Sequence, residues 1–502
     1  MSYAQLIACA ALVAAPTATL AQAAQESVDL SVIEQIREEG FERSQLPTVA
    51  RHLTDVIGPR LTGSPGMLRA NEWTAEQLGA WGFTNITIEP WGEFGRGWER
   101  VSYEGRILTP FVQPLHAQPN AWTGSTDGTI TGSAVIVAAE SVEDLDRYRG
   151  TLKGTFLLMQ SPSNIEPEFE TRDRRFATDL LLEPWEPPEA RQVDPQMQAQ
   201  FQRARDLRRA LAGFALEEGV AAMILPSSRI YGVLRSGGTG PGRDPANENP
   251  TPQLIISPEQ YNQIYRNVES GTDVTLEVDV QNRFFDDDLN AYNTLADFPG
   301  TDLADEYVMI GAHLDSWHMG TGATDNAAGS VVMMEAMRIL KALGVQPRRT
   351  IRIALWSGEE QGLLGSRNWV QNHPELHDQI SVYLNLDNGT GKVRGVYSQM
   401  NEQAIPMFEQ ALWPFNDLGV VSVWHRNTGG TDHLAFDRAG IPGFNFVQDP
   451  IEYSIRTHHT YLDTFDHLLL DDLKQAAVVI AATAYHLAMR DEMVPGKEAP
   501  VP

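Results

Sequence analysis

From about residue 290 the chain alternates short apolar runs with amphipathic stretches, and this alternation constrains the fold more than any other feature. The runs at 307–312, 350–356, 381–386 and 441–447 read as buried strands, and 327–341, 362–372 and 468–490 read as helices. Strands joined through helices pair in parallel and are covered on both faces. The region therefore predicts an α/β fold: a mostly parallel mixed sheet flanked by helices.

In such sheets ligands bind beyond the carboxyl ends of the strands. Polar residues collect there. The first run delivers His313 and Asp315, and the following turn carries Asp325 just before a helix. The second run delivers Glu359-Glu360 and the third Asp387, while His458-His459 and Asp463 follow late in the chain. Each alone has a plainer explanation: a helix cap for Asp325, a solvated surface for the glutamates, a turn for Asp387, a surface loop for the histidines. Together, acids and imidazoles at one sheet edge would repel or desolvate one another unless cations lay among them. Two His and three carboxylates suit two zinc ions sharing one carboxylate. A neighbouring carboxylate that is not a ligand would then move the proton, and adjacent glutamates meet that need. Asp315 is of the right type to orient the His313 imidazole, and Asp463 to orient that of His459. The competing motifs fail. Gly320-Thr321-Gly322 has Asp325 where a dinucleotide loop needs its third glycine, and there is no G-x-S-x-G, Walker A or H-E-x-x-H.

Upstream the texture differs. Helical spacing at 32–39 and 67–78 precedes a strand at 83–91. Between 115 and 280 come short β-runs (133–138, 155–159, 221–225, 253–256), a proline-rich span and a charged helix at 197–218. This section reads as a β-rich inserted module, and its SGGTGPG run at 236–242 predicts a flexible surface loop.

Composition excludes several partners. The chain has 38 Lys and Arg against 66 Asp and Glu, a net charge of −28, so nucleic acid and anionic membranes are disfavoured. Its one cysteine, Cys9, rules out an internal disulfide framework and a cysteine zinc site. The apolar run 6–15 is too short to span a bilayer, and with Ala21-Gln22-Ala23 it predicts a cleaved export signal over 1–23 and a periplasmic or extracellular mature protein. A lipobox at 6–9 is disfavoured because the apolar run continues past Cys9.

At the site residues the sequence resembles metallopeptidase family 28, the co-catalytic zinc exopeptidases, and most nearly its carboxypeptidase Q-like branch. The matching segments are GPRLTGSPG (58–66), GAHLDSW (311–317), GATDNAAG (322–329), LWSGEEQGLLGS (355–366), NLDNGTG (385–391), GTDHLAF (430–436) and HHTYLDT (458–464). The inserted module is similar to a protease-associated domain at 144–159 and 217–226. The resemblance implies a zinc-peptidase, phosphorylase/hydrolase-like fold with peptidase parts at 24–114 and 281–495 around an insertion at 115–280. It also implies two zinc ions: His313 and Asp387 on one, Glu360 and His459 on the other, Asp325 bridging. His459 is preferred to His458 because it directly precedes the threonine. Glu359 would be the general base, with Asp315 beside it in the catalytic set. The expected reaction is hydrolysis of short peptides from an end, by a hydroxide held between the metals. A homodimer is among the assemblies the resemblance allows. His318 departs from the branch, which has an acid after the tryptophan, and Asp432 matches a position near the pocket. Two other functions fit the same scaffold: a glutaminyl-cyclase-like acyltransferase, which needs one metal, and a non-catalytic binding protein, which would have lost ligands.

Overall fold

The structure is a computed structural model that describes residues 28–183 and 195–497. The predicted export signal and Cys9 lie outside the described residues. Among those residues, no helix is long and apolar enough to cross a membrane.

The first sheet has eight strands in the order Thr84–Glu93, Asn290–Phe298, Arg349–Trp356, Leu303–His313, Ile380–Asn385, Gly443–Gln448, Val393–Tyr397, Ser422–Trp424. The strand starting at Arg349 and its next three neighbours run parallel, and the sheet turns antiparallel at Asn290–Phe298 and at Val393–Tyr397. The parallel strands are buried nearly throughout because both faces are covered. Val308, Ile310, Ile351, Ile353, Val382 and Leu384 pack against helices Leu30–Glu42, Ala328–Leu343 and Leu470–Met489. The alternate residues Met309, Ala354, Trp356 and Tyr383 meet Trp369 and Phe436, from helices Leu364–Asn372 and His433–Arg438. The fold class is thus the α/β arrangement expected.

Strands Thr84–Glu93 and Asn290–Phe298 pair with each other, and the chain between them builds a second eight-stranded sheet. Its strands run from Gly97–Thr109, through short central strands, to Thr275–Phe285. These two long strands pair antiparallel from Gly97–Phe285 onward and carry the chain out and back. Helix Pro258–Glu269 covers one face through Tyr261 and Ile264. The far half of helix Pro195–Glu217 covers the other through Leu211 and Phe214.

The 236–242 run reaches the surface at Gly238, Gly240 and Pro241, as expected of a loop, but it is tied to its neighbours rather than free. Ser236 and Gly242 are buried, Ala121 N donates to Gly237 O at 2.9 Å, and Thr239 N donates to Ala121 O at 3.1 Å. Its glycines permit close approach rather than motion. A Cβ on Gly242 would lie 1.9 Å from the Trp122 carbonyl oxygen, and one on Gly238 would lie 2.6 Å from the Trp122 ring. Because the clash at Gly242 is with backbone, Gly242→Ala is expected to cost about 1–3 kcal/mol in denaturant unfolding. Gly240→Ala, where an added methyl meets nothing within 4 Å, should leave stability unchanged.

Candidate metal centre

Strand Leu303–His313 ends on the first imidazole. His313 is buried, and its Nδ1 lies 3.0 Å from the Asp315 carbonyl oxygen and 3.4 Å from the Asp315 carboxylate. Donation from Nδ1 to that carbonyl leaves Nε2 as the ligating atom. It faces Asp325 Oδ1 at 3.3 Å, Asp387 Oδ1 at 3.4 Å and Glu359 Oε2 at 3.9 Å. On the other side, His459 Nε2 lies 2.8 Å from Glu360 Oε2 and 3.2 Å from Asp325 Oδ2. The two oxygens of Asp325 thus face two different imidazoles. Asp325 lies in a turn entered through Gly322 in the left-handed region, and its peptide bond to Asn326 is cis.

Hydrogen bonds to the backbone hold these side chains in place. The Asp315 carboxylate accepts from Thr62 Oγ1 at 2.8 Å and from the amides of Glu359 and Glu360 at 3.4 and 3.3 Å. It therefore sets the turn that carries both glutamates, while its carbonyl is the closer partner of His313. The Asp463 carboxylate accepts from the amides of Thr324 and Asp325 at 2.6 and 3.1 Å. It orients Asp325, not His459 as its sequence position suggests. The His459 Nδ1 instead meets Arg235 Nη2 of the inserted module at 3.0 Å. Arg60 is fully buried and donates to the carbonyls of Leu314, Thr321 and Gly322 at 2.6–2.7 Å, tying the His313 and Asp325 turns together.

The donor set fits metal. Glu360 Oε1 is buried without a hydrogen-bond partner, and the buried oxygens Glu360 Oε2, Asp325 Oδ2 and Asp387 Oδ1 face imidazole nitrogens, at 2.8, 3.2 and 3.4 Å, in place of ordinary donors. Such groups are costly unless a cation compensates them. Ligand atoms at zinc–ligand distances of about 2.1 Å in a tetrahedral shell lie about 3.4 Å apart, the spacing found around His313. The groups His313, Asp325, Asp387 and Asp325, His458, His459 each bring ligand atoms within 4.8 Å of one another. Burial, reinforced by Asp325, lifts Glu360 up to about 7, and burial holds Glu359 well above the usual carboxylate range. Burial alone would lower His459, but Glu360 and Asp325 outweigh it and take the imidazole up to about 10. Burial would likewise raise Asp325, but hydrogen bonds with His313 and His459 hold it well below its usual value.

A cavity of about 440 Å³ opens beside the cluster. It is lined by Asp325, Glu359, Glu360, Asp387 and His459 together with Gly429–Thr431, Tyr453 and His458. His458, which the sequence reads as a surface loop, lies against His459 with ring centroids 3.8 Å apart and planes tilted by 30°, and its Nε2 is 4.0 Å from Asp325 Oδ2. Adjacency to His459 was its only sequence signal. Asp432 is fully buried, close enough for its charge to raise Glu359 further. His318 lies in the seam with the inserted module, edge-on to Trp98 with Nε2 2.8 Å from the Pro119 carbonyl, and burial lowers it to about 3.

Residues 293–484, which carry every one of these acids and imidazoles, match the family model for Peptidase family M28. The chain carries an M28 peptidase domain. That domain makes it a peptidase, a hydrolase by family. The chain is 25% identical to carboxypeptidase Q of Mus musculus over 478 residues, 94% of this chain and 90% of that protein. It superposes on a peptidase M28 precursor from Shewanella amazonensis with a TM-score of 0.68 and 25% identity, covering 93% of this chain and 99% of the other. A zinc aminopeptidase from Bacillus subtilis shares the fold at a TM-score of 0.57 and 18% identity, covering 91% and 96%.

Ligation of zinc by the M28 cluster requires Glu360 and the imidazoles to lose their protons, so uptake is coupled to proton release. Titration calorimetry of the metal-stripped protein, in buffers of differing ionisation heat, is expected to show net proton release. Affinity should rise as pH increases from 6 to 8, through the Glu360 value of about 7. Affinity independent of pH would contradict this.

Proposed function

We propose that the protein is an exported di-zinc exopeptidase that hydrolyses short peptides. Asp325 carries this reading, because its two oxygens face His313 and His459 separately. His313 and Asp387 would hold one ion, Glu360 and His459 the other, with Asp325 between them. Zinc bound there would polarise the scissile carbonyl and make an attacking water more acidic.

The chain's own groups do the rest. Glu359, 3.9 Å from His313 Nε2, is held well above the ordinary carboxylate range by burial. That places its proton affinity where it can take a proton from water and return it to the departing amine. Asp315 positions Glu359 and Glu360 through their amides, and Asp463 positions Asp325. The cavity of about 440 Å³ is of small-ligand size, which favours a chain end over an internal loop of a folded protein.

Glu359→Gln is expected to keep its zinc and lose about 10²–10⁴-fold in kcat, measured on a panel of dipeptides and tripeptides with metal content determined in parallel. Full activity in that variant would remove Glu359 from the mechanism. One zinc per chain with no peptide cleavage would favour the acyltransferase over the peptidase.

A further inference from the structure

The inserted module grips one stretch of the M28 domain at both ends. At the near end Arg174 and Ile451 form an antiparallel bridge, with Ile451 N donating to Arg174 O at 2.9 Å and Arg174 N to Ile451 O at 3.3 Å. At the far end Arg235 and Thr460 form a second antiparallel bridge, flanked by bonds from Ser236 N to His459 O at 2.6 Å and from Tyr461 N to Leu234 O at 3.1 Å. Between the bridges lie Tyr453 and His458, which line the cavity, and at the second lies His459, the imidazole beside Glu360. Ile451 and His459 have φ of +44° and +61°, left-handed values that are unfavourable for residues with a side chain, most of all a β-branched one. Each sits at a bridge, so the module's main chain supports two conformations that local preference opposes.

Side chains reinforce the grip. Arg456, within the stretch, pairs with Asp173 of the module at 2.6 Å and with Glu452 at 2.7 Å, and Glu452 in turn pairs with His467. Asp173 leads into residues 174–176, which are themselves docked on the M28 domain. Arg175 pairs with Asp472 at 2.6 Å and with Asp449 at 3.0 Å, Phe176 N donates to Asp449 Oδ1 at 2.8 Å, and Arg394 Nη1 donates to Phe176 O at 2.9 Å. From the other side, Thr324 Oγ1 donates to Thr457 Oγ1 at 2.8 Å and ties the middle of the stretch to the Asp325 turn. The other proposed ligands are held by the M28 domain alone. His313 ends one buried strand and Asp387 follows another, Glu360 sits in the turn set by Asp315, and Asp325 in the turn clamped by Asp463. Of the five, only His459 has its main chain bonded to the module.

We propose that the inserted module is a positioning element for one of the two zinc sites. Its main chain at 174 and 236, with Asp173 on Arg456, sets His459 for ligation and leaves the His313–Asp387 site to the sheet. This rests on the di-zinc reading above and adds to it a division of labour between the two parts of the chain. Linkage makes the effect mutual: zinc held by His459 tightens the docking of the module by the same free energy with which docking favours zinc.

The test is zinc bound per chain, counted by equilibrium dialysis over a series of buffered zinc concentrations. The unmodified protein is expected to take up two ions. In Ser236→Pro, which deletes the donor to His459 O, one ion is expected to bind about 10- to 100-fold more weakly and the other with unchanged affinity. Arg456→Met should weaken the same site, and Arg456→Lys should restore part of the loss, which a general loss of stability would not do. Amide hydrogen exchange gives a readout that needs no change in the module. Zinc should slow exchange at 174 and 236 in the unmodified protein and fail to do so in His459→Ala, which keeps the other site. If Ser236→Pro does not fold, the Arg456 pair and the exchange measurement decide. Unchanged affinity at both sites in the folded variants overturns this inference alone, as does equal weakening of both sites or exchange at 174 and 236 that ignores zinc. Fewer than two zinc ions per unmodified chain overturn the di-zinc reading and this inference with it.

Discussion

The interaction on which the rest depends is the shared use of one buried carboxylate by two imidazoles. Asp325 cannot face His313 and His459 in a dry pocket, with Glu360 and Asp387 beside them, unless positive charge compensates the acids. In the function proposed above, divalent cations supply it. The surrounding hydrogen bonds serve to bring these groups close: Asp463 clamps the Asp325 turn, Asp315 clamps the two glutamates, and Arg60 ties the loops behind them. Because these clamps act on backbone atoms, they fix where the ligand side chains start from and leave their tips to the metal.

The sheet explains how residues so far apart in sequence meet. Three parallel strands end at one edge, and each delivers its polar group as the chain leaves the apolar core. Burial on both faces of those strands makes the edge rigid. The inserted module approaches the same edge from outside. It packs its Trp122 against Trp317, the residue that follows the His313 loop, and reaches His459 through Arg235. The site is therefore built on the catalytic sheet but closed by a second sheet.

Much of this was legible in the sequence because it follows from periodicity. Strands buried on both faces are continuous apolar runs, so those ending at His313, near Glu359 and at Asp387 stood out, as did the helix after Asp325. The flanking strands Gly97–Thr109 and Thr275–Phe285 did not stand out, because they are half exposed and interleave charged with apolar residues. The 236–242 run misled for a different reason. Glycine marks flexibility or close approach equally well, and only the position of Trp122 decides between them. Asp463 was paired with the wrong residue because local spacing does not reveal that the left-handed turn at His459 sends the chain back beneath Thr324 and Asp325. The Arg235–His459 contact spans 224 residues of sequence and belongs to no local pattern.

The central claim is that two cations share Asp325. The direct measurement is an anomalous-scattering crystal structure of the zinc-loaded protein, collected at the zinc absorption edge. The account predicts two peaks about 3.5–4 Å apart, one beside His313 and Asp387 and the other beside Glu360 and His459, with Asp325 touching both. A single peak, or zinc bound away from Asp325, would contradict it.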